Sequence, residues 1–524
     1  MRTTDTLTTG PKLKDVEVTI TRGNFFTASL IYLTLPVIIF FFGYLKIVWA
    51  LLFSVLTITA LVFAIKRFKQ EGPGDQADKI TLKPSYFAVV IPLIIVFLFL
   101  GGVSEYSWTT IDHRVRYAIL NDLINYKWPV IFDFSTQENP IVAAQLGEGK
   151  VAFAYYFVFW MVPAVIGKLT NLAVARVALF IWSGIGLFLV SLGGSFLYKK
   201  ASKIMFIAIM FFSGFDVIPG YINDFLHIES TWEGWNIHLH IHGNFYQIMN
   251  VFNQSIPGWL ITMLLMLCLS GSCVGLLGSL MFCYSPWAAI GFAPLCLCRL
   301  LMNKTKENRK TIITDLITPG NLIAPVVFIV VFATYFTANS QATSGNGLIW
   351  KFYDTPMELI IDYVKYAVFE FGIWALIIFK RHKKDPLFWT SIATLLIMPI
   401  YKITIANDFI MRGSMAPMFL IGIYVSIFIT DNFYRCLNDK GFVLKTRAAV
   451  LTLIVAAYVP INLLITSAVM TYEIKVNKGH LEDDCTHDID SFGNINHEDQ
   501  LDMVKTQFYV YNYEDTIFFK YLAK

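Results

Sequence analysis

The sequence predicts an all-α fold, a polytopic transmembrane helical bundle of about thirteen spans. Three observations lead there. Of the 524 residues, 56% are hydrophobic and only 15% are charged, whereas soluble domains carry about 25% charged residues. Mean hydropathy is +0.58. Apolar runs of roughly 16 to 25 residues recur along nearly the whole chain, and a bilayer-crossing helix needs about 20. The alternating pattern of a membrane β-barrel is absent.

Lys and Arg mark the cytoplasmic loops of such a protein. They cluster at Lys12, Lys14 and Arg22; at Lys66, Arg67, Lys69, Lys79 and Lys83; and at Lys199, Lys200 and Lys203. Further clusters fall at Arg299, Lys304, Lys306, Arg309 and Lys310; at Lys380, Arg381, Lys383 and Lys384; and at Arg435, Lys440, Lys445 and Arg447. One threading puts all six inside. Its spans are 26–44, 47–65, 86–102, 172–197, 203–219, 256–271, 273–285, 286–302, 317–337, 357–379, 386–402, 414–430 and 446–471. Residues 1–24 are then a cytoplasmic segment, and 25–471 the membrane domain. Residues 103–171 and 220–255 are two large external loops, and 472–524 an external polar segment. Within the first loop, VAFAYYFVFWMVPAVIG is apolar but short, and reads as re-entrant or interfacial. No cleavable leader is expected at the first apolar run.

Six of the seven cysteines lie in or beside apolar runs and read as small core residues; Cys485 stands in the polar segment. No Walker loop, dinucleotide-binding glycine motif or nucleophile elbow occurs. A nucleotide sugar on a cytoplasmic Rossmann domain is therefore not expected, nor is a nucleic-acid partner.

The densest chemistry follows the third span, in WTTIDHRVRYAILNDLINYKWPV (108–130). Read as a helix over 111–124, Ile111, Val115, Ala118 and Ile119 share a face. That describes a short amphipathic helix lying on the membrane surface, holding Asp112 where lipid meets water. The alternative is an ordinary interfacial helix with an Asp112–Arg116 surface pair worth about 0.3–0.5 kcal/mol.

This segment resembles the first external loop of the GT-C superfamily of membrane glycosyltransferases, which includes protein O-mannosyltransferases and lipid A aminoarabinose transferases. There an acidic pair is followed by R-Y-A, a helix and a W-P close. VAFAYYFVFWMVPAVIGKLTNLAVARVALFIWSGIGLFL, SGFDVIPGYI and SPWAAIGFAPLCLCRLL resemble later passages of that family in the same order. The chain departs from it where the acidic pair reads Asp112-His113, and where Ser285 replaces a Lys found in some members. The resemblance implies an enzyme that takes a sugar from a polyprenyl-phosphate donor in the bilayer. It passes that sugar to a glycan, lipid or protein acceptor outside. The setting is a multi-pass protein of a bacterial cytoplasmic membrane with its site on the external face.

Under that reading Asp112 is the general base of an inverting displacement. The departing polyprenyl phosphate needs cationic stabilisation, and the candidates are Arg412, Lys402, Arg114 and Arg116. An Arg at the membrane edge is costly and suggests function; pairing of Arg412 with Asp408 is the alternative. His113, Asp216, Trp232 and Trp235 are candidates for acceptor or sugar binding; the alternative for Asp216 is an N-cap or turn residue before Pro219. His238, His240 and His242 alternate. As a strand they would share one face and admit a divalent metal; otherwise no cofactor is required. Rival readings are a transporter or flippase for lipid-linked sugar, and a polymerase or ligase joining whole glycans.

Overall fold

The computed structural model describes residues 17–71, 78–135, 149–225, 234–302, 309–339, 345–404, 407–438, 444–476, 489–495 and 507–524, with the side chains of 111–115, 309–311 and 436–450 outside that description. The helices run α1 (Arg22–Tyr44), α2 (Ile47–Gln70), α3 (Pro84–Leu100), α4 (Ile111–Asn125), α5 (Met161–Leu169), α6 (Leu172–Tyr198), α7 (Lys203–Met210), α8 (Val217–Phe225) and α9 (Asn244–Leu267). Then come α10 (Val274–Tyr284), α11 (Pro286–Leu301), α12 (Arg309–Leu316), α13 (Pro319–Phe328) and α14 (Pro356–Lys365). The last five are α15 (Ile373–His382), α16 (Pro386–Ile397), α17 (Asp408–Gly413), α18 (Met415–Asn438) and α19 (Leu444–Val476). A π-helical stretch, Tyr366–Gly372, joins α14 to α15.

Among the described residues, six helical stretches are long and apolar enough to cross a membrane: Arg22–Tyr44, Ile47–Gln70, Leu172–Tyr198, Ile312–Phe336, Met415–Arg435 and Leu451–Val476. Five shorter apolar helices lie among them, including Pro84–Leu100 and Pro286–Leu301. The packing pattern is that of a protein solvated by lipid. On α2, Ile47, Val48, Leu51, Leu52, Val55 and Ile58 are exposed, while Ala50, Ser54, Thr57 and Ala60 face inward. Small and hydroxyl residues inside with large aliphatics outside is how membrane helices pack.

The connections gather at two ends. At one, β1 (Val18–Thr21) pairs antiparallel with β2 (Lys79–Leu82). Arg22 bridges Asp78 at 2.8 Å, and Glu71 accepts from Ser270 N at 3.1 Å. At the other end a three-stranded sheet joins β3 (Ile131–Asp133), β4 (Lys150–Phe153) and, later, β7 (Tyr509–Val510). There too β5 (Gly347–Leu348) pairs with β6 (Tyr401–Lys402), and Leu45 bridges Ala523.

Four expectations change. The span drawn at 203–219 is two short helices, α7 and α8, broken over 211–216. The second loop is shorter than drawn, because α9 begins at Asn244. Helix α4 does not lie bare on a surface: Ala118, Ile119 and Leu123 are fully buried against α5, α6 and α9. The segment after 472 is not simply polar. Helix α19 runs on to Val476, and Phe508, Tyr509, Val510 and Phe518 are buried among Phe153, Phe492 and Tyr335. An aromatic run, FYVYNYEDTIFF, buries like any apolar strand once its backbone is paired.

Candidate functional site

The start of α4 is set by the central helix. Within α9, Val251 leaves the helical region (φ −142°, ψ 37°), and the Met249 carbonyl accepts from Thr110 Oγ1 at 3.2 Å. Thr110 is the N-cap residue of α4. Its neighbours are fixed as well. Trp108 N donates to Thr471 Oγ1 at 2.9 Å, and Tyr117 Oη donates to the Gly102 carbonyl at 3.1 Å. Gly102 has φ +73°, and a Cβ there would meet Thr109 Cγ2 at 2.6 Å. The first turn of α4 therefore has a defined origin. It carries the backbones of Asp112, His113 and Arg114; their side chains lie outside the described residues.

One turn further, Arg116 is buried. It lines a cavity of about 10 Å³ with Glu105, Tyr117, Trp160 and Arg176, room for about one water. Glu105 and Arg176 form an ion pair there. Arg116 also faces Tyr155, whose hydroxyl burial pushes far above its usual range, while Arg116 and Arg412 pull it back. Tyr156 packs against Tyr155 with centroids 3.9 Å apart and the rings tilted by 31°.

Arg412 closes this group. It is 6% exposed and paired to Asp408, which also accepts from Thr404 Oγ1 at 2.9 Å. Burial opposes its charge, but Asp408 and the two tyrosines outweigh burial and hold it charged, with Arg116 counting against them. Among the described residues its Nε–H meets no acceptor. The backbone there comes very close to α11: a Cβ on Gly291 would sit 1.8 Å from the Gly413 carbonyl oxygen. Only glycine at 291 permits that approach.

The histidines sit beside this cluster, but not on a strand. Residues 235–239 are bends and 240–243 are irregular, so the shared-face argument for 238–242 does not hold. His238 Nδ1 accepts from the Lys402 ammonium at 2.8 Å. His240 Nδ1 contacts the Asn236 carbonyl at 2.6 Å, and the His240 and His242 rings lie 5.2 Å apart. All three imidazoles are held neutral. Burial lowers His238 to about 4, with Lys402 adding to it. Burial lowers His240, and burial followed by His240 and Arg412 lowers His242. Among the described residues no group of three or more His, Cys, Asp or Glu is arranged for a metal. Lys402 itself is buried, with its Nζ 4.4 Å above the Phe352 ring. One of its three N–H groups is engaged by His238.

Two sugar-binding candidates are placed otherwise than expected. Trp235 is 2% exposed, and its indole N–H donates to Glu370 Oε1 at 2.9 Å, so its face is not open for stacking. Asp216 is fully buried, accepts from Ser213 Oγ at 3.1 Å and is hydrogen-bonded to Glu370. It is part of an interior acid pair, not of an external surface. Trp232 lies outside the described residues.

Beside the histidines opens a cleft of about 980 Å³. Its walls are the 234–240 loop, Phe352–Thr355 and α14. Asn236 Nδ2 donates to Asp362 at 2.6 Å across it, and Lys365 pairs with the same carboxylate at 3.3 Å.

Sequence reading missed Tyr155, Tyr156, Glu370 and Asp362. Tyr155 and Tyr156 sat within a run read as apolar. Glu370 and Asp362 sat within a drawn span, where two carboxylates are themselves a signal. Comparison with protein-family models, with curated proteins and with solved structures gives no match to this chain.

Proposed function

We propose that this protein is a membrane glycosyltransferase moving a sugar from a polyprenyl-phosphate donor to an acceptor at the α4 end of the bundle. The observation that carries the reading is Arg412: a buried guanidinium, with Arg116 and two tyrosine hydroxyls in its field, whose Nε–H meets no acceptor among the described residues. A buried charged donor without an acceptor is costly. A phosphate oxyanion satisfies it with a charge-assisted hydrogen bond. Arg116 and Arg412 then stabilise the departing phosphate, which leaves already ionised and needs no general acid. Tyr155 and Tyr156 supply neutral donors. Asp112, one helical turn before Arg116 on a helix start fixed by Thr110, takes the proton of the attacking acceptor hydroxyl. Support for a lipid-borne donor comes from the six apolar helices and the lipid-facing pattern of α2.

The test is a pair of variants of the full chain in lipid nanodiscs. Asp112→Asn should abolish transfer and keep binding of polyprenyl phosphate. Arg412→Gln should weaken that binding by about two powers of ten, the effect of losing about 2.7 kcal/mol. Full turnover in Asp112→Asn would remove it as the base, and unchanged phosphate binding in Arg412→Gln would remove the donor assignment.

A further inference from the structure

The cleft along α14 was absent from the sequence-based expectations. Its size is that of a ligand site, about 300–1,000 Å³. Its polar lining is Asn236, His238, His240, Thr355, Glu358, Asp362 and Lys365, with Tyr353 on the same wall. This is a set of hydrogen-bonding groups with little net positive charge. Asp362 already engages Lys365, and Glu358 adds a second carboxylate. The imidazole of His238 is neutral at pH 7. With Lys365 paired to Asp362 and the Lys402 ammonium bonded to His238, two carboxylates and two ammoniums leave no net charge to select an anionic headgroup. An uncharged polyol would find acceptors and donors for each hydroxyl, as carboxylates, amides and imidazoles provide.

The rim shows how such a ligand arrives. Helix α14 buries none of its residues. Met357, Ile360, Ile361 and Val364 recur at i, i+3, i+4 and i+7 and are all exposed, a continuous apolar stripe. Met357 and Ile361 also line the cleft, and Ile237 stands exposed on the opposite wall. The polar interior thus opens directly onto an apolar helix face of the kind lipid covers. A soluble sugar gains nothing from that stripe, whereas an acyl chain does, at about 0.8 kcal/mol per buried methylene. His240 lines the cleft, and its ring lies 5.2 Å from that of His242, which feels the Arg412 charge.

We infer that this cleft binds a membrane lipid with an uncharged, polyhydroxylated headgroup, the head among Asn236, Glu358 and Asp362 and the acyl chains along Met357, Ile361 and Val364. The inference rests on the transferase reading for one point, that this lipid is the sugar acceptor; the binding itself stands without it.

The experiment uses the full chain reconstituted in phosphatidylcholine vesicles doped separately with monoglycosyl-diacylglycerol, phosphatidylethanolamine or phosphatidylglycerol, with retained lipid read by native mass spectrometry. The glycosyl lipid should be retained about tenfold over either phospholipid. Glu358→Gln, an exposed position that leaves the fold alone, and Asp362→Asn should each lower that retention severalfold. Arg412→Gln should leave it unchanged while losing polyprenyl phosphate. A soluble methyl glycoside should compete poorly. Preference for phosphatidylglycerol or phosphatidylethanolamine overturns the inference. So does undiminished retention in both cleft variants, or equal competition by the soluble glycoside. Glycolipid binding without sugar transfer would leave the cleft assignment standing and count against the transferase reading alone.

Discussion

The Asp122 carboxylate accepts from the Ser491 hydroxyl at 2.5 Å and from the Phe492 amide at 2.8 Å, fastening the last turn of α4 to a segment hundreds of residues later in the chain. Asn121 Nδ2 donates to the Asp490 carbonyl at 2.7 Å beside it, and Tyr509 Oη donates to the Phe492 carbonyl at 2.5 Å. The helix that carries Asp112 at its start is therefore held at its far half by this later segment.

Burial raises Asp122 from 3.8 to about 7, against the lowering pull of Ser491 and Phe492. The docked state binds this proton more tightly than the undocked chain. Its contribution is complete below about pH 4 and is lost as pH rises through 7. Amide hydrogen exchange in 489–495, corrected for intrinsic rates, should accelerate across that window in the wild type and be flat in Asp122→Asn. Asp122→Ala leaves two donors without their acceptor, at about 1–3 kcal/mol each, and should open the segment at every pH.

His238 carries the opposite sign. Its value falls to about 4, mainly by burial and then by Lys402, so the folded state binds that proton less readily than a free histidine near 6.5. Its stabilising contribution is whole above about pH 6.5 and disappears as pH drops toward 4. Melting temperature should decline over that range, and His238→Gln should flatten the decline. An unchanged acid slope in His238→Gln would rule out this histidine as its source.

Gly291→Ala should move the Arg412 segment. The new methyl would stand 1.8 Å from the Gly413 carbonyl oxygen, so backbone must yield. Overpacking of this kind costs about 1–3 kcal/mol. The expected outcome is a folded protein with a lowered melting point and weakened polyprenyl phosphate binding. Normal binding would mean that Arg412 need not be so placed.

The hydrogen bond between Asp216 and Glu370 requires a proton on one of the two carboxyls. Asp216→Asn supplies an equivalent donor and should melt close to the wild type. Asp216→Ala should cost about 1–3 kcal/mol by stranding Ser213 and Glu370. Calorimetry of the two variants decides it; equal losses would mean that the shared proton contributes nothing.

The helical course was largely readable from apolar run length. The drawn segments 26–44, 47–65, 172–197 and 286–302 sit within a few residues of α1, α2, α6 and α11. What run length could not convey was interruption: residues 211–216, apolar except Ser213, Gly214 and Asp216, break the chain between α7 and α8. Nor could it convey that α9 starts twelve residues early, since its first turns are amide-rich yet buried. Of the candidate site, Arg116, Arg412 and the histidines are brought together, though nothing local in their sequences links positions 116, 240 and 412. Trp235 and Asp216 looked like surface groups because one fell in a drawn external loop and the other at the end of a drawn span. Their burial depends on Glu370, which sequence distance hides.

Helix α9 has a consequence for how this protein is made. It buries Asn244, Gln247, Asn250, Asn253, Gln254 and Ser255 inside the bundle, with Ser285 donating to Gln254. Alone in hydrocarbon Asn250 keeps only the Tyr246 carbonyl of its own helix, and Gln254 loses Ser285. The insertion machinery must therefore either shelter α9 until α10, α11 and α18 have emerged, or take it into the bilayer together with them, so that biogenesis of the central helix waits on segments translated after it.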